Sequence, residues 1–134
     1  MATTTATLNL SSADLTGDAL ALTTTSTLSK AGTATGMTET SGVGRKTTAA
    51  TAAYTLFDGN DYSANGAHKV YLKNTSTTTS EYFTVTINAE EMGRLYAGDW
   101  AFLPWGAHDA DNDLKITPSV STTMTLEYML ISQA

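Results

Sequence analysis

The stretch KVYLKNTSTTTSEYFTVTIN, residues 69–88, decides the fold class of this chain. In its first part Val70 and Leu72 alternate with lysines and a tyrosine, and in its second part Phe83 and Val85 alternate with a tyrosine and threonines. Because successive side chains of a strand point to opposite faces, this period of two predicts two β-strands, each with one apolar and one wet face. The run NTSTTTS between them is typical of a turn, so we expect the two strands to form an antiparallel hairpin.

The rest of the chain also has the composition of a β protein. Threonine occurs 27 times in 134 residues, and its β-branched side chain favours a pleated, half-solvated surface over a helix. Only NAEEMGRLY, residues 88–96, contains consecutive helix formers, and Gly93 interrupts it after about one turn. We therefore expect an all-β fold, an antiparallel β-sandwich or jelly roll of six to nine short strands with little helix.

Large apolar side chains are distributed unevenly along the chain. Residues 1–53 contain 9 Val, Ile, Leu, Met, Phe, Trp and Tyr residues, whereas residues 54–134 contain 27. Ordering a residue costs roughly 1–2 kcal/mol and burying a large apolar side chain returns about 1.5–3 kcal/mol, so the first part cannot fold by itself. We predict that residues 1–12, anchored by Leu8 and Leu10, form an extended N-terminal arm able to pair with a neighbour's edge strand. Residues 13–134 are predicted to form a single β-sandwich domain.

The charge and the lack of cysteine exclude several classes of function. The chain has a formal net charge of -6, and residues 54–134 contain ten acidic and four basic side chains, so direct nucleic-acid binding is not expected. The absence of cysteine excludes disulfides, zinc fingers and thiol catalysis. Neither a secretory leader nor an apolar run of about 20 residues is present, so we expect a soluble protein made in a cytosol, with no membrane partner.

The stretch YAGDWAFLPWGAHDADNDL, residues 96–114, contains both tryptophans and four of the thirteen acidic residues. Alternation places Trp100 and Phe102 on one face of a strand and Leu103 and Trp105 on the other. Large apolar side chains on both faces predict a strand buried on both sides, in the core or at a subunit interface. The alternative is a sugar-binding platform formed by Trp100 and Trp105.

The acidic part of this stretch admits two interpretations. Asp109, Asp111 and Asp113 match the first three ligand positions of a calcium-binding EF-hand loop. The match then fails, because Leu114 stands where the glycine of the sharp turn belongs and Val120 where the bidentate glutamate belongs. A calcium site of another kind stays open, and the alternative is an Asx-type turn with its charges in water.

The sequence offers few groups for catalysis. We expect His68, just before a strand, to be a solvated surface histidine, and neither it nor His108 is accompanied by a G-x-S-x-G elbow. Glu90 and Glu91 are adjacent carboxylates, which we interpret as part of a solvated turn rather than a glycosidase pair. We therefore assign no catalytic, cofactor-binding or metal-binding residue and expect no enzymatic activity; a small hydrolase dependent on His108 is the minor alternative.

Three segments carry a resemblance: VYLKNTSTTTSEYFTVTI, LYAGDWAFLPW and the closing LEYMLIS. Together, over roughly Ala67 to Ser132, they resemble small virion proteins of tailed bacteriophages that decorate or cement the capsid, usually as trimers. The resemblance implies a β-sandwich or jelly roll, made in the bacterial host cytoplasm and located at the capsid surface. It implies no cofactor and no catalytic residue to carry over.

The resemblance also implies partners. We expect a homotrimer that contacts the major capsid protein of the same particle, and no direct nucleic acid. Alternatives are a phage tail, fibre or adaptor component and a carbohydrate- or receptor-binding β-sandwich module. The interface candidates are Leu8, Leu10, Trp100, Phe102, Leu103 and Trp105.

Overall fold

A computed structural model describes residues 3–15 and 17–134 of the chain. Intrachain contacts group the chain into two compact units, which divide between Thr38 and Glu39. The strands of the first unit are β1 (Thr5–Ser12) and β2 (Leu20–Thr27). Those of the second are β3 (Glu39–Thr40), β4 (Gly44–Thr48), β5 (Tyr54–Phe57), β6 (Lys69–Asn74), β7 (Tyr82–Ile87), β8 (Glu90–Tyr96), β9 (Trp100–Pro104), β10 (Leu114–Pro118) and β11 (Met124–Ser132).

The second unit is built from two antiparallel sheets that enclose one core. One sheet has the strand order β5-β10-β7-β8, and the other has the order β3-β11-β6-β9, with β4 also paired to β11. Alternate residues of both sheets supply the core, because every second side chain of a strand points to the same face. The buried apolar side chains that form this core cluster are Phe57, Val70, Leu72, Phe83, Val85, Leu95, Trp105, Ala107, Leu114, Ile116, Met124, Leu126 and Leu130. The predicted all-β, antiparallel sandwich class is confirmed.

The strands expected to form a hairpin, β6 and β7, belong to different sheets. β6 pairs with β11 and β9, whereas β7 pairs with β10 and β8. The predicted hairpin is therefore wrong, and residues 75–81 cross from one sheet to the other. The alternating pattern is the same in both arrangements, because it specifies which face of each strand is buried and not which strand lies alongside.

A tight hairpin joins β7 to β8. Asn88 and Ala89 connect the strands with positive φ angles of 53° and 60°, as in the two-residue type I′ turn. The helical turn expected at residues 88–96 is wrong, because Glu90 to Tyr96 pair with β7 across a register shift at Val85 and Thr86. Pairing in the sheet overrides the weak helix preference of this segment.

The described residues form eleven strands, more than the expected six to nine, because β8 replaces the expected helical turn and because β3 and β10 have no counterpart among the expected strands. β3 and β4 lie along the same edge of β11 and are separated at Gly42, whose φ is 69°. In the gap, Ser41 replaces strand pairing, since its N–H donates to Leu130 O and its Oγ accepts from Leu130 N–H. β10, LKITP, is too short for the sequence to distinguish from a loop.

Helical structure among the described residues is limited to two 3₁₀ turns. These turns are Gly59–Asp61 and Ala110–Asn112, of three residues each. Within residues 3–15 and 17–134, no helix has the length and apolar content that crossing a membrane requires.

The first unit contains a two-stranded antiparallel ribbon, β1 with β2. The segment predicted as an extended arm, residues 1–12, thus includes β1, while Met1 and Ala2 lie outside the described residues. The interface candidates Leu8 and Leu10 lie on β1, where Leu8 is half-buried and Leu10 is 44% exposed. Beyond β2 the chain continues through a bridge between Ser29 and Gly36.

Candidate functional site

The outer face of the five-stranded sheet presents two large exposed aromatic side chains. Trp100 and Phe102 lie two residues apart on the edge strand β9, and they are 53% and 37% exposed. Their cross-strand partners on β6 are Lys73 and Tyr71, respectively. Because cross-strand partners lie on the same face of a sheet, the four side chains form a continuous surface. We call these four residues, together with Glu127 of β11, the aromatic face.

The carboxylate of Glu127 organises the polar part of the aromatic face. Glu127 is the cross-strand partner of Lys73, and it accepts hydrogen bonds from Tyr71 Oη at 3.1 Å and Arg45 Nη2 at 3.2 Å. Burial raises the pKa of Tyr71, and the hydrogen bond to the negative Glu127 carboxylate acts in the same direction. The Tyr71 hydroxyl is therefore held as a neutral donor, which fixes the ring at the centre of the face.

The aromatic face combines flat apolar surface with fixed polar groups. Trp and Arg are among the side chains that most often dominate protein–protein binding. Trp100 lies in the aromatic face, and Arg45 of β4 borders it as the cross-strand partner of Glu127. An exposed indole can also stack on a sugar ring, with Lys73 and Glu127 within the same surface to bond hydroxyl groups. The arrangement is thus suited to binding.

Sequence reasoning found Trp100 and Phe102 but not their neighbours. Tyr71, Lys73 and Glu127 all lie opposite the apolar positions of their strands, so the alternation in KVYLKN and TMTLEYMLI already placed them on the wet face. What the sequence did not give was the order β11-β6-β9, which brings the three strands side by side.

The strand β9 is not buried on both sides, contrary to expectation. It is the edge of its sheet, and only the face bearing Ala101 and Leu103 packs against the core. Trp100 and Phe102 point the other way, so their assignment to the core is wrong. Leu103, also an interface candidate, is half-buried and packs against the core.

Trp105 is placed inside the sandwich, with 2% of its surface exposed. Its Nε1–H donates to Asn112 O at 2.9 Å, and its ring lies 5.4 Å from Tyr62 and 5.9 Å from Phe57 between centroids. The sugar platform that paired Trp105 with Trp100 is therefore wrong. Trp105, one of the interface candidates, is thus buried within its own sandwich.

His68 is fully buried, so the expectation of a solvated surface histidine is wrong. Its Nδ1 accepts from the Gln133 backbone N–H at 3.2 Å, and its Nε2 lies 2.9 Å from Ser63 O. Since a backbone N–H can only donate, Nδ1 is unprotonated and Nε2–H is the donor to Ser63, which defines a neutral tautomer. Both ring nitrogens are engaged by the backbone, and the ring packs 5.9 Å from Trp105.

In the acidic loop, residues 108–113, the carboxylates of Asp109 and Asp113 accept hydrogen bonds from the backbone. Asp109 Oδ1 accepts from the Asp111 N–H at 3.0 Å, which confirms an Asx-type turn, whereas Asp113 Oδ1 accepts from the Gly59 N–H at 2.9 Å. The charge of Asp113 is not in open water, because only 13% of its side chain is exposed. The His108 ring is exposed, and its Nε2 lies 3.8 Å from Asp109 Oδ2.

No group of three or more His, Cys, Asp or Glu side chains within the described residues is arranged to hold a metal ion. The positions that suggested calcium, Asp109, Asp111 and Asp113, therefore do not converge on one point. Asp109 and Asp113 are directed to two different backbone N–H groups.

A shallow cleft of about 440 Å³ lies where residues 75–81 approach residues 122–125. Its lining is rich in threonine, and the carboxylate of Glu81 is bonded by the hydroxyls of Ser76 and Thr122. Sequence reasoning missed this cleft, because residues 75–81 were interpreted only as a turn and residues 123–125 only as the start of the last strand. The carboxylate oxygens are already satisfied, so the cleft offers mainly hydroxyl groups.

Comparisons with known proteins identify no relative of this chain. No protein-family model matches it, and neither a curated protein nor a solved structure does. The class defined by the fold and site is an all-β sandwich with an exposed aromatic face.

Proposed function

We propose that this chain is a non-enzymatic structural protein of a tailed-phage virion, a capsid cement or decoration subunit that contacts the major capsid protein through its aromatic face. The observation that carries the proposal is the exposure of Trp100 and Phe102, side by side on the open face of a sheet. Contiguous exposed aromatic surface is costly in water and marks interaction sites. The resemblance to capsid decoration proteins supplies the identity of the partner.

A shell surface fits the physical character of this face. The face is a sheet surface rather than a cleft, so its partner must present a broad surface of its own. Its apolar centre is bordered by Lys73, Glu127 and Arg45, which matches the apolar core and polar rim of protein interfaces. Binding there needs neither a cofactor nor a metal, and the subunit would lie on the outside of the capsid after synthesis in the host cytoplasm.

The partners of the two histidines support a non-enzymatic role. The ring nitrogens of His68 are occupied by backbone groups, and the His108 ring lies on the surface beside Asp109. Nucleophilic catalysis by serine or threonine requires a base within hydrogen-bond reach of the hydroxyl. The hydrolase alternative rests on His108, and we do not favour it.

Reconstitution on particles tests the proposal. Virions of the source phage, purified on a density gradient, should contain the chain by mass spectrometry. Particles stripped of it should lose DNA at a lower temperature, and addition of the recombinant protein should restore the original release temperature. The double variant Trp100→Ser/Phe102→Ser should fail to restore it, because the contact surface is lost.

A matched control is Met92→Ser/Leu15→Ser, which changes two exposed apolar residues outside the aromatic face. This variant should restore the particles as the wild type does. Absence of the chain from purified particles, or full restoration by Trp100→Ser/Phe102→Ser, would contradict the proposal.

A second candidate function is carbohydrate binding by the same face. It is favoured by the exposed Trp100 indole, whose neighbours Lys73 and Glu127 can bond sugar hydroxyls. Fluorescence separates the candidates, because Trp100 is exposed and Trp105 is buried. A glycan that protects Trp100 from iodide quenching, with the effect absent in Trp100→Phe, would favour sugar binding over shell attachment.

A further inference from the structure

The strand β9 lies at the end of its sheet, with one edge unpaired among the described residues. Its pairing with β6 runs from Lys69 opposite Pro104 to Lys73 opposite Trp100, and no described strand lies on its other side. An unpaired edge presents a row of backbone N–H and C=O groups, which is a template for pairing with another chain. β9 can therefore accept one further strand.

The hydrogen bonds to β6 determine which backbone groups of β9 point outward. Asn74 N–H donates to Asp99 O at 3.0 Å, and Trp105 N–H donates to His68 O at 3.1 Å. Because bonded and non-bonded positions alternate along an antiparallel pair, the odd-numbered residues of β9 bond to β6. The even-numbered residues therefore direct their backbone N–H and C=O groups to the open edge.

Trp100 and Phe102 are the even-numbered residues of β9 that have an N–H to donate, because Pro104 has none. Their side chains are 53% and 37% exposed on the aromatic face. A strand added at this edge gains main-chain hydrogen bonds from the same two residues whose rings it packs beside. The row of donors ends at Pro104, so the added ladder is short.

The other edges of the second unit have features that oppose pairing. β8 contains three charged residues and pairs with β7 through a register shift, and β4 contains Arg45 and Lys46. β3 has two residues, while β5 has four and a register shift of its own. Charges, irregularities and short length protect natural edge strands, whereas WAFLP of β9 contains no charged residue. β9 is thus the edge of this unit that is open to a partner.

The charges of the aromatic face indicate the chemistry of the added strand. Arg45 and Glu127 form an ion pair with each other at 3.2 Å, whereas Lys73, the cross-strand partner of Trp100, is in no ion pair among the described residues. The face therefore carries one uncompensated positive charge, although the chain has a net charge of -6. An acidic side chain in the added strand complements Lys73. The β9 strand of a second copy contains no such side chain.

We propose that β9 is extended by a strand of the partner protein, a segment that bonds the outward backbone groups of Trp100 and Phe102 and carries a carboxylate beside Lys73. The inference deepens the proposed function and rests on it for the identity of the partner, the major capsid protein. In strand addition the main-chain hydrogen bonds supply affinity, and side chains at alternate positions supply specificity. The two rings and Lys73 are the specificity contacts on this side.

Amide hydrogen exchange with single-residue resolution tests the backbone contact. In the free protein the N–H groups of Trp100 and Phe102 should exchange rapidly, while those of Ala101 and Leu103, which bond to β6, should be protected. Binding to particles stripped of the native subunit should protect all four. Rapid exchange of Trp100 and Phe102 on the particle overturns the proposal. Their protection in free protein with the mass of two copies assigns the edge to a second copy and overturns it as well.

Comparison of Phe102→Pro with Phe102→Ala separates the hydrogen bond from the ring. Both variants lack the ring, but only proline lacks the outward N–H, which pairing with β6 does not use, and proline is tolerated at such edge positions. Phe102→Pro should bind stripped particles about tenfold more weakly than Phe102→Ala, because a partner carbonyl loses its donor. Near-ultraviolet circular dichroism of the buried Trp105 verifies that both variants fold. If proline prevents folding, the amide pattern and the charge variants decide.

Reversal of the Lys73 charge tests the carboxylate of the partner. Lys73→Glu should weaken binding about tenfold or more, Lys73→Arg should preserve it, and added salt should reduce the difference. The control Arg94→Glu makes the same change of charge on β8 of the other sheet and should bind as the wild type does.

The outcomes distinguish this inference from the proposed function. Equal affinities of Phe102→Pro and Phe102→Ala, or of Lys73→Glu and the wild type, overturn the strand addition, while attachment through the aromatic face stands. Failure of the wild type to bind stripped particles overturns both.

Discussion

Nδ2 of Asn74 in β6 donates a 2.9 Å hydrogen bond to the carbonyl oxygen of Leu95 in β8, and both residues are buried. The bond joins a side chain of the five-stranded sheet to the main chain of the four-stranded sheet. The same amide nitrogen lies 3.3 Å from Glu81 O, and Oδ1 accepts from the Ser76 N–H. Asn74 thus fixes the point at which the chain leaves one sheet for the other.

Replacing Asn74 by Ala should lower the free energy of unfolding by about 2–3 kcal/mol, because the buried Leu95 carbonyl and the half-buried Glu81 carbonyl both lose a donor. Asn74→Asp should cost more, since a carboxylate would face carbonyl oxygens. Chemical denaturation measures both changes. The control Asn60→Ala removes an exposed asparagine bonded only to Asp58 and should cost less than about 1 kcal/mol. Equal losses at the two sites would contradict this role for Asn74.

The two tryptophans should differ sharply in their contribution to stability. Trp105→Ala should cost about 3–5 kcal/mol, the usual loss for a large aromatic side chain removed from a packed interior. Trp100→Ala should change the free energy of unfolding by less than about 1 kcal/mol, because half of its surface is already in water. Thermal and denaturant melts compare the variants, and a larger loss for Trp100 would place that residue in the core after all.

Gly59 should not tolerate a side chain. A Cβ at this position would overlap the carbonyl oxygen of Asp109, which is backbone and cannot turn away. Gly59→Ala should therefore cost about 1–3 kcal/mol, the range for an overpacked site. Gly106 is the matched control, because a Cβ there meets no atom within 4 Å and its φ is ordinary. Gly106→Ala should be neutral or stabilise by about 0.4–1 kcal/mol. The measurement is the melting midpoint of each variant, and equal midpoints would contradict the prediction for Gly59.

Glycine in place of Ala89 should stabilise the turn between β7 and β8. Ala89 has a φ of 60°, where an alanine side chain costs about 1–2 kcal/mol, while glycine loses only about 0.5–1 kcal/mol more chain entropy on folding. Ala89→Gly should therefore raise the free energy of unfolding by about 0.5–1 kcal/mol. Ala53→Gly, in an exposed loop without positive φ, should lower it instead. Destabilisation by Ala89→Gly would refute the turn assignment.

Substitutions of Asp113 and Asp111 should differ in their effect on stability, because Asp113 bonds the backbone and Asp111 is solvated. Asp113→Ala leaves the Gly59 N–H without its acceptor and should cost about 1–3 kcal/mol, whereas Asp111→Ala should lie within about 0.5 kcal/mol of the wild type. Melts in millimolar calcium and in chelator should coincide. A rise in midpoint with calcium that disappears in Asp111→Ala would establish a metal site, because a ligand bound to the native state stabilises it.

The sequence by itself determined the fold class and much of the core. Alternation identified Val70, Leu72, Phe83 and Val85 as buried, and all four are, because a period of two specifies one inward face whatever the neighbouring strands are. It also placed Trp100 and Phe102 on one face of a strand. These properties follow from local geometry.

Only the tertiary structure decided which strands lie together and which faces stay exposed. The chain crosses between sheets at residues 75–81 through the buried bonds of Asn74, and His68 turns inward to backbone partners; neither arrangement has a periodic signal in the sequence. The position of β9 at a sheet edge leaves Trp100 exposed, although its composition suggested burial. Strand order depends on contacts between residues far apart in the chain, and a local pattern reports which residues are apolar but not what covers them.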